Sequence, residues 1–196
     1  MPPITRPPLL RPGVLDGVRI VFAGGGADGT ASACAALGAR TATLDADLLD
    51  EESTSAAAER LDGADVLVCD TATGFRADGG TPAALQQALQ RAWNATRCVV
   101  NAAHRPAGGG RVVLIAPRPA DGQQAGAARA ALENLARTTS VEWARFGVRV
   151  VALWPGDATA DEALSGLVCY LASPAGAYFS GCVLELGAVA QSSGSS

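Results

Sequence analysis

Residues 128–156 read ARAALENLARTTSVEWARFGVRVVALWPG. Leu132, Leu135, Ala136 and Thr139 stand at spacings of 3, 4 and 7, which places them on one face of a helix. The helix is expected from Gln123 to Ala144. A few residues later comes an apolar, β-branched run, Arg149–Leu153, which stops at Trp154-Pro155-Gly156. A helix that leads directly into a buried strand is half of a β-α-β repeat.

The same alternation extends in both directions. Towards the N-terminus the pattern predicts strands at Val18–Phe22, Thr41–Leu44, Val66–Cys69 and Arg111–Ile115. Between them it predicts short helices at Thr30–Leu37 and Ser53–Arg60, with Ser53 as N-cap. A long helix is expected over Thr81–Arg105, with Thr81 as N-cap and Pro82 in the first turn. Gly108-Gly109-Gly110 ends that unit. Towards the C-terminus a helix is expected at Asp161–Leu171 and a last strand at Cys182–Leu186. The strands are continuous apolar runs, as required when helices cover both faces of a parallel sheet. The fold class is therefore α/β: a Rossmann-like, doubly wound, three-layer α/β/α domain over residues 17–189. Residues 1–16, MPPITRPPLLRPGVLD, read as an extended proline-rich arm, and residues 190–196 as a loose tail.

Composition narrows the function. The chain has 196 residues, 48% of them apolar and 17% charged, with a net charge of −4. That balance lacks the basic footprint of a nucleic-acid binder. No apolar run approaches the roughly 18 residues of a membrane span, and the start lacks a signal-peptide core, so a cytoplasmic protein with no membrane partner is expected. The five cysteines, Cys34, Cys69, Cys98, Cys169 and Cys182, show no metal-ligand spacing and read as buried, reduced thiols. The single histidine, His104, has no partners for a metal site or a triad. All 15 basic residues are arginine, and the only tyrosines are Tyr170 and Tyr178.

Four stretches, in order, resemble the short-chain dehydrogenase/reductase family: VRIVFAGGGADGT (18–30), ADVLVCDTATG (64–74), the stretch 128–156 quoted above, and LVCYLASPAGAYFSGCVLELGAV (167–189). The resemblance spans roughly residues 14–189 and implies a domain truncated relative to full-length members. It also implies where a cofactor and catalytic groups should lie, and there the chain departs from the family. The nucleotide loop follows a Thr-Gly-x-x-x-Gly-x-Gly plan. Here Ala23 stands at the threonine, Gly24 matches, and Asp28 and Thr30 replace the other two glycines, which leaves Gly24, Gly25 and Gly26 as a vestigial loop. A carboxylate about 4 Å from a phosphate charge costs on the order of 4 kcal/mol at an effective dielectric near 20. Asp45 falls where an NAD-preferring relative holds the adenosine ribose. In a second register, ADLLDEES (46–53) follows a third strand, a helix and a strand are missing, and Asp47 is the adenine-side aspartate. An N-cap or solvated-turn role serves either aspartate equally well.

The family's Tyr-x-x-x-Lys pair maps to Ala125 and Arg129, its serine region to Ala116-Pro117, and its asparagine to Ala92, or with a two-residue slip to Asn94. A methyl group donates no proton, and a positioned acid or base is typically worth 10²–10⁴-fold. The lid that follows Pro-Gly in relatives is replaced by DATADEALSG (157–166), which reads as the next core helix.

The assembly elements read normally. By resemblance, the two long helices form a four-helix bundle with a neighbour, and the last helix and strand form a second interface. Trp93, Arg97, Ala128, Ala131, Leu132, Leu135, Trp143, Tyr178, Phe179 and Leu184 are the expected interface residues, with core packing as the competing role. The expectation is a non-catalytic subunit paired in a dimer or tetramer with an active dehydrogenase, which would bind the NAD(P) and act, by analogy, on acyl-CoA-type substrates. The alternatives are an NAD(P)-dependent oxidoreductase working through Arg129, Asp70 or Asp28, and a dinucleotide- or small-molecule-sensing module that binds cofactor weakly without turnover.

Overall fold

The computed structural model describes residues 10–187. The arm's first nine residues and the tail lie outside this range. Six strands form one parallel sheet: β1 (Arg19–Ala23), β2 (Arg40–Thr43), β3 (Val66–Asp70), β4 (Gly110–Ile115), β5 (Val148–Pro155) and β6 (Cys182–Leu186). Their order is β2-β1-β3-β4-β5-β6. The helices are α1 (Asp28–Ala36), α2 (Glu51–Glu59), α3 (Ala72–Ala77), α4 (Pro82–Val99), α5 (Ala125–Glu142) and α6 (Asp161–Ala172).

The pleat sorts the core into two layers. Val21, Leu67, Leu114 and Ala152 face α2, α4 and α5 through Ala57, Ala92, Val99, Leu132 and Ala136. Their sequence neighbours Ile20, Val66, Val113 and Leu153 face α1 and α6 through Cys34, Val168 and Leu171. The three layers follow from the continuous apolar runs of the central strands β1, β3, β4 and β5, which bury side chains on both faces. One strand, β2, lies outside β1, where the usual doubly wound order has two. All four β2 residues are exposed.

Several boundaries differ from the expected ones for physical reasons. Ser53 is not the N-cap of α2. Asp50 takes that place, its carboxylate accepting from the Glu52 N–H at 3.0 Å, with Glu51 and Glu52 in the first turn facing the helix dipole. Thr81 does cap α4, accepting from Ala84 at 3.2 Å, and the helix passes at Val100 into a single π turn that ends at His104. The chain from Leu10 to Gly17 is not an extended arm. It winds through turns closed by Val14→Arg11 and Asp16→Gly13 hydrogen bonds, because Leu15 is buried among the α1/α6-layer residues. Helix α3 was not expected. The Asp70 carboxylate starts it, accepting from the Ala72 N–H at 2.8 Å and the Thr73 N–H at 3.3 Å.

Candidate functional site

The chain runs outward from β1 to β2 and then back to β3, so β1 and β3 flank the topological switch point. In such sheets ligands bind at the carboxyl ends of the strands there. A cleft lies at this place, walled by Gly26, Thr30, Asp70, Thr73, Arg118 and Ser165 among others. Its volume is about 200 Å³, below the 300–1,000 Å³ usual for small-molecule sites.

The glycine loop explains why the cleft is small. Gly24, Gly25 and Gly26 all have positive φ (97°, 84° and 71°). A Cβ on Gly24 would run into the Asp70 carbonyl. One on Gly26 would strike the Thr73 hydroxyl and stand 2.7 Å from the Asp70 carboxylate. The loop therefore makes its close approach to the chain's own β3–α3 turn. Asp28 is exposed on the first turn of α1 and is not a wall of the cleft. Thr30 bridges to Ser165 of α6, hydroxyl to hydroxyl, at 2.9 Å. Burial raises the Asp70 carboxyl above the usual carboxylate range, opposed by its hydrogen bonds from Thr73 and Ala72.

The place that the resemblance assigns to the proton donor holds a buried alanine. Ala125, 1% exposed, opens α5 and packs in a cluster with Phe75, Ala84, Ala88 and Ala128. Phe75, from α3, is 0% exposed and is the largest fully buried side chain of the described residues. Two loops close over this cluster. Gly80 and Gly122 approach so tightly that a Cβ on either would stand 2.5 Å from the other's Cα, and the Gln124 N–H donates to the Gly80 carbonyl. Arg76 pairs with Asp121 at 3.3 Å across the same seam.

Arg129, at the lysine place, is buried and occupied. Its Nη1 donates to the carbonyls of Pro117 (3.0 Å) and Pro155 (2.8 Å), and its guanidinium lies 4.8 Å from the Trp154 ring centroid. It ties the end of β5 to the residues just beyond β4. Burial lowers its pKa from the ordinary guanidinium value, with Glu185 and Asp157 opposing. Ala116 and Pro117 are buried and offer no hydroxyl. Ala92 is core. Asn94 is buried too, and its amide donates to the Leu48 carbonyl at 2.9 Å while accepting from Gln90. Arg118 pins the segment after Gly156 by donating to the Thr159 carbonyl (2.7 Å) and pairing with Asp161 (2.8 Å).

Asp45 is exposed beyond β2, and Asp47 accepts from the Leu49 N–H within its own turn. Among the expected interface residues, Ala128 and Leu132 are fully buried in the domain and are core, because the inner faces of α4 and α5 close on them. Trp93 (36% exposed) stacks on Trp143 at 6.4 Å, with Arg97 against its ring. With Leu89, Ala131 and Leu135 it lines an outward groove of about 350 Å³ between α4 and α5. Val141, 77% exposed, follows on α5. Tyr178 is 91% exposed, and Phe179 packs edge-on against Tyr170 near Leu184.

His104 is 0% exposed with neither ring nitrogen hydrogen-bonded. Cys34, Cys69, Cys98 and Cys169 are buried and Cys182 is half-buried. No cluster of metal-ligating residues occurs among the described residues, and no described helix is long and apolar enough to cross a membrane. Sequence reading missed Phe75 and Arg118. The one available signal was Phe75 itself, a lone large apolar residue in the polar stretch 71–80.

No family model and no curated protein matches the chain. Solved structures do. The citronellol catabolism dehydrogenase AtuB of Pseudomonas aeruginosa PAO1 is similar with a TM-score of 0.74 at 23% identity, covering 91% of this chain and 96% of that one. A short-chain dehydrogenase from Mycobacterium smegmatis gives 0.72 at 22%, covering 90% and 94%. A putative NAD(P)-dependent gluconate 5-dehydrogenase from Beutenbergia cavernae, solved with bound NADP at low occupancy, gives 0.67 at 24%, covering 89% and 97%. The chain thus has the Rossmann-like fold of the short-chain dehydrogenases, in a six-stranded and shortened form.

Proposed function

We propose that this chain is a non-catalytic, cytoplasmic member of the short-chain dehydrogenase/reductase family that associates with an active dehydrogenase of the same fold. One observation carries the reading: Ala125, at the place the resemblance gives the proton donor, is buried in a packed cluster with Phe75. The surroundings agree with it. Arg129 is committed to two backbone carbonyls, and the glycine loop is packed on Asp70 and Thr73. The partner would bind the NAD(P). The outer α4/α5 groove, with Trp93 and Val141 unburied, is the surface suited to that partner. Acyl-CoA-type substrates remain an analogy for the complex as a whole.

The test is affinity capture of the tagged chain from its native host, with co-purifying proteins read by mass spectrometry. A dehydrogenase of this fold in stoichiometric amount is expected. A chain that stays monomeric and captures no such protein refutes the reading.

The cleft supports a second reading, a sensing module for a ligand smaller than a dinucleotide, since Asp70 and Arg118 both line it. Calorimetric titration with NADH and NADPH separates these readings from that of an unorthodox oxidoreductase. The chain alone is expected to bind neither. Micromolar binding with turnover would establish an enzyme.

A further inference from the structure

Two pairs of small polar side chains bridge α1 and α6, one helical turn apart. Nearer the carboxyl ends of the strands, the Thr30 and Ser165 hydroxyls meet at 2.9 Å. Four residues further along each helix, the Cys34 and Cys169 sulfurs meet at 3.5 Å. The i, i+4 spacing puts Thr30 and Cys34 on one stripe of α1, and Ser165 and Cys169 on one stripe of α6. Side chains this small let the two helices approach closely. Thr30 and Ser165 wall the cleft and keep 8% and 9% exposure, whereas Cys34 and Cys169, one turn further in, keep 0% and 1%. The hydroxyl bridge therefore stands between the cleft and the thiols. Among the described residues no other two sulfurs are hydrogen-bonded. Burial pushes the Cys69 thiol up to about 12 and raises Cys98 and Cys182 as well. Cys169 alone is lowered, because the Cys34 S–H donates to its sulfur; the same bond, with burial, raises Cys34.

We propose that Cys34 and Cys169 form a redox-active dithiol, which hydrogen peroxide converts into a disulfide locking α1 to α6. The Cys169 thiolate attacks one peroxide oxygen. An S–O bond forms and the O–O bond breaks. The leaving oxygen takes the proton that Cys169 gave up and departs as water, which leaves a sulfenic acid on Cys169. The Cys34 sulfur then attacks the Cys169 sulfur. The S–S bond forms, the S–O bond breaks, and the hydroxyl leaves with the Cys34 proton as a second water. Two thiols lose two electrons, and one peroxide is reduced to two waters. A disulfide holds its sulfurs at about 2.05 Å, so the pair closes by about 1.5 Å between helices that are already in contact. The bond joins positions 135 residues apart, and closing so long a loop removes freedom from the unfolded chain. It also fixes the α1 and α6 walls of the cleft relative to each other.

The full chain is treated with millimolar hydrogen peroxide, denatured, alkylated and mapped after cleavage at arginine and aromatic residues, which separates Cys169 from Cys182. Two of the five cysteines should lose their reactivity, with one cross-linked peptide joining Cys34 to Cys169. The melting temperature should rise by about 8 °C, and dithiothreitol should reverse the change. Cys34→Ser removes the resolving sulfur, so Cys169 sulfenic acid should accumulate and take up dimedone about tenfold more than in the unsubstituted chain. Cys169→Ser should leave Cys34 unlabelled. Five reactive thiols after treatment, a disulfide that includes Cys69, Cys98 or Cys182, a Cys34–Cys169 link without a rise in melting temperature, or dimedone uptake at Cys34 each overturn the proposal. The map of the unsubstituted chain decides the matter should a serine variant not fold. Dehydrogenase binding does not enter the readout, so this proposal and the proposed function can fail separately.

Discussion

The carboxyl end of the sheet and the outer face of α4 and α5 both draw on these two helices, yet they end in opposite states. At the strand ends, polar and aromatic groups turn inward: Phe75 fills, Arg129 and Arg118 tie carbonyls, and Asp70 starts a helix. On the outer side of α4 and α5, Trp93 and Val141 remain exposed, at 36% and 77%. The closed end is satisfied within the chain, and the open face is where unsatisfied apolar surface remains. The two regions thus divide the side chains by type: the closed end commits its charged and aromatic groups to the chain itself, and the outer face keeps apolar surface in solvent.

The largest expected effect is at the closed end. Arg129→Ala leaves the Pro117 and Pro155 carbonyls buried without donors and should lower stability by about 4 kcal/mol, read as the midpoint of urea unfolding. Arg129→Lys should recover less than half of this, because an ammonium lacks the planar fork and the stacking on Trp154. If Arg129→Ala is neutral, the closed end is not held by that residue.

His104, buried in the π turn and packed against Gly110 of β4, sharpens the contrast from the opposite end of the sheet. Burial, aided by Arg111 and opposed by Asp65, pushes its pKa down from 6.5 to about 4. The unfolded chain binds this proton more tightly than the folded one. The resulting stability is complete above pH 6.5 and is lost as pH falls towards 4, by about 3 kcal/mol in total. Unfolding curves over that range should show the slope, and His104→Leu should remove this contribution to it.

Restoring the family's pair is expected to cost stability and return nothing. Ala125→Tyr forces a ring into the volume Phe75 occupies, at about 2 kcal/mol. The Ala125→Tyr, Arg129→Lys double variant should show no NADH-dependent turnover. The smallest effect on the domain itself belongs to the open face. Val141→Asp should leave the melting temperature unchanged, since Val141 is already in solvent, and should weaken partner capture more than tenfold.

The fold was legible because its signal is collective. Each of the six strands is a short apolar or β-branched run, and each was located from the sequence to within two residues at either end. The candidate site was legible only as a set of losses. Ala125 and Arg129 marked the places that the resemblance gives the Tyr-x-x-x-Lys pair, but nothing in their letters says that Phe75 packs in a cluster with Ala125. That depends on α3, a six-residue helix too short for periodicity to reveal, which exists because Asp70 caps it through tertiary placement. The interface was half legible. Alanine and leucine on α5 read alike from either side of the helix, and only packing assigns Ala128 and Leu132 inward.

The exposed β2 strand leaves one rim of the sheet unpaired, with no core residue on either of its faces. The connection that leaves this rim for α2 is nevertheless anchored, because Leu44 and Leu48 are buried in the core and the Leu48 carbonyl accepts from Asn94. A strand added beside β2 must therefore come from outside that connection, through the open hydrogen-bonding edge.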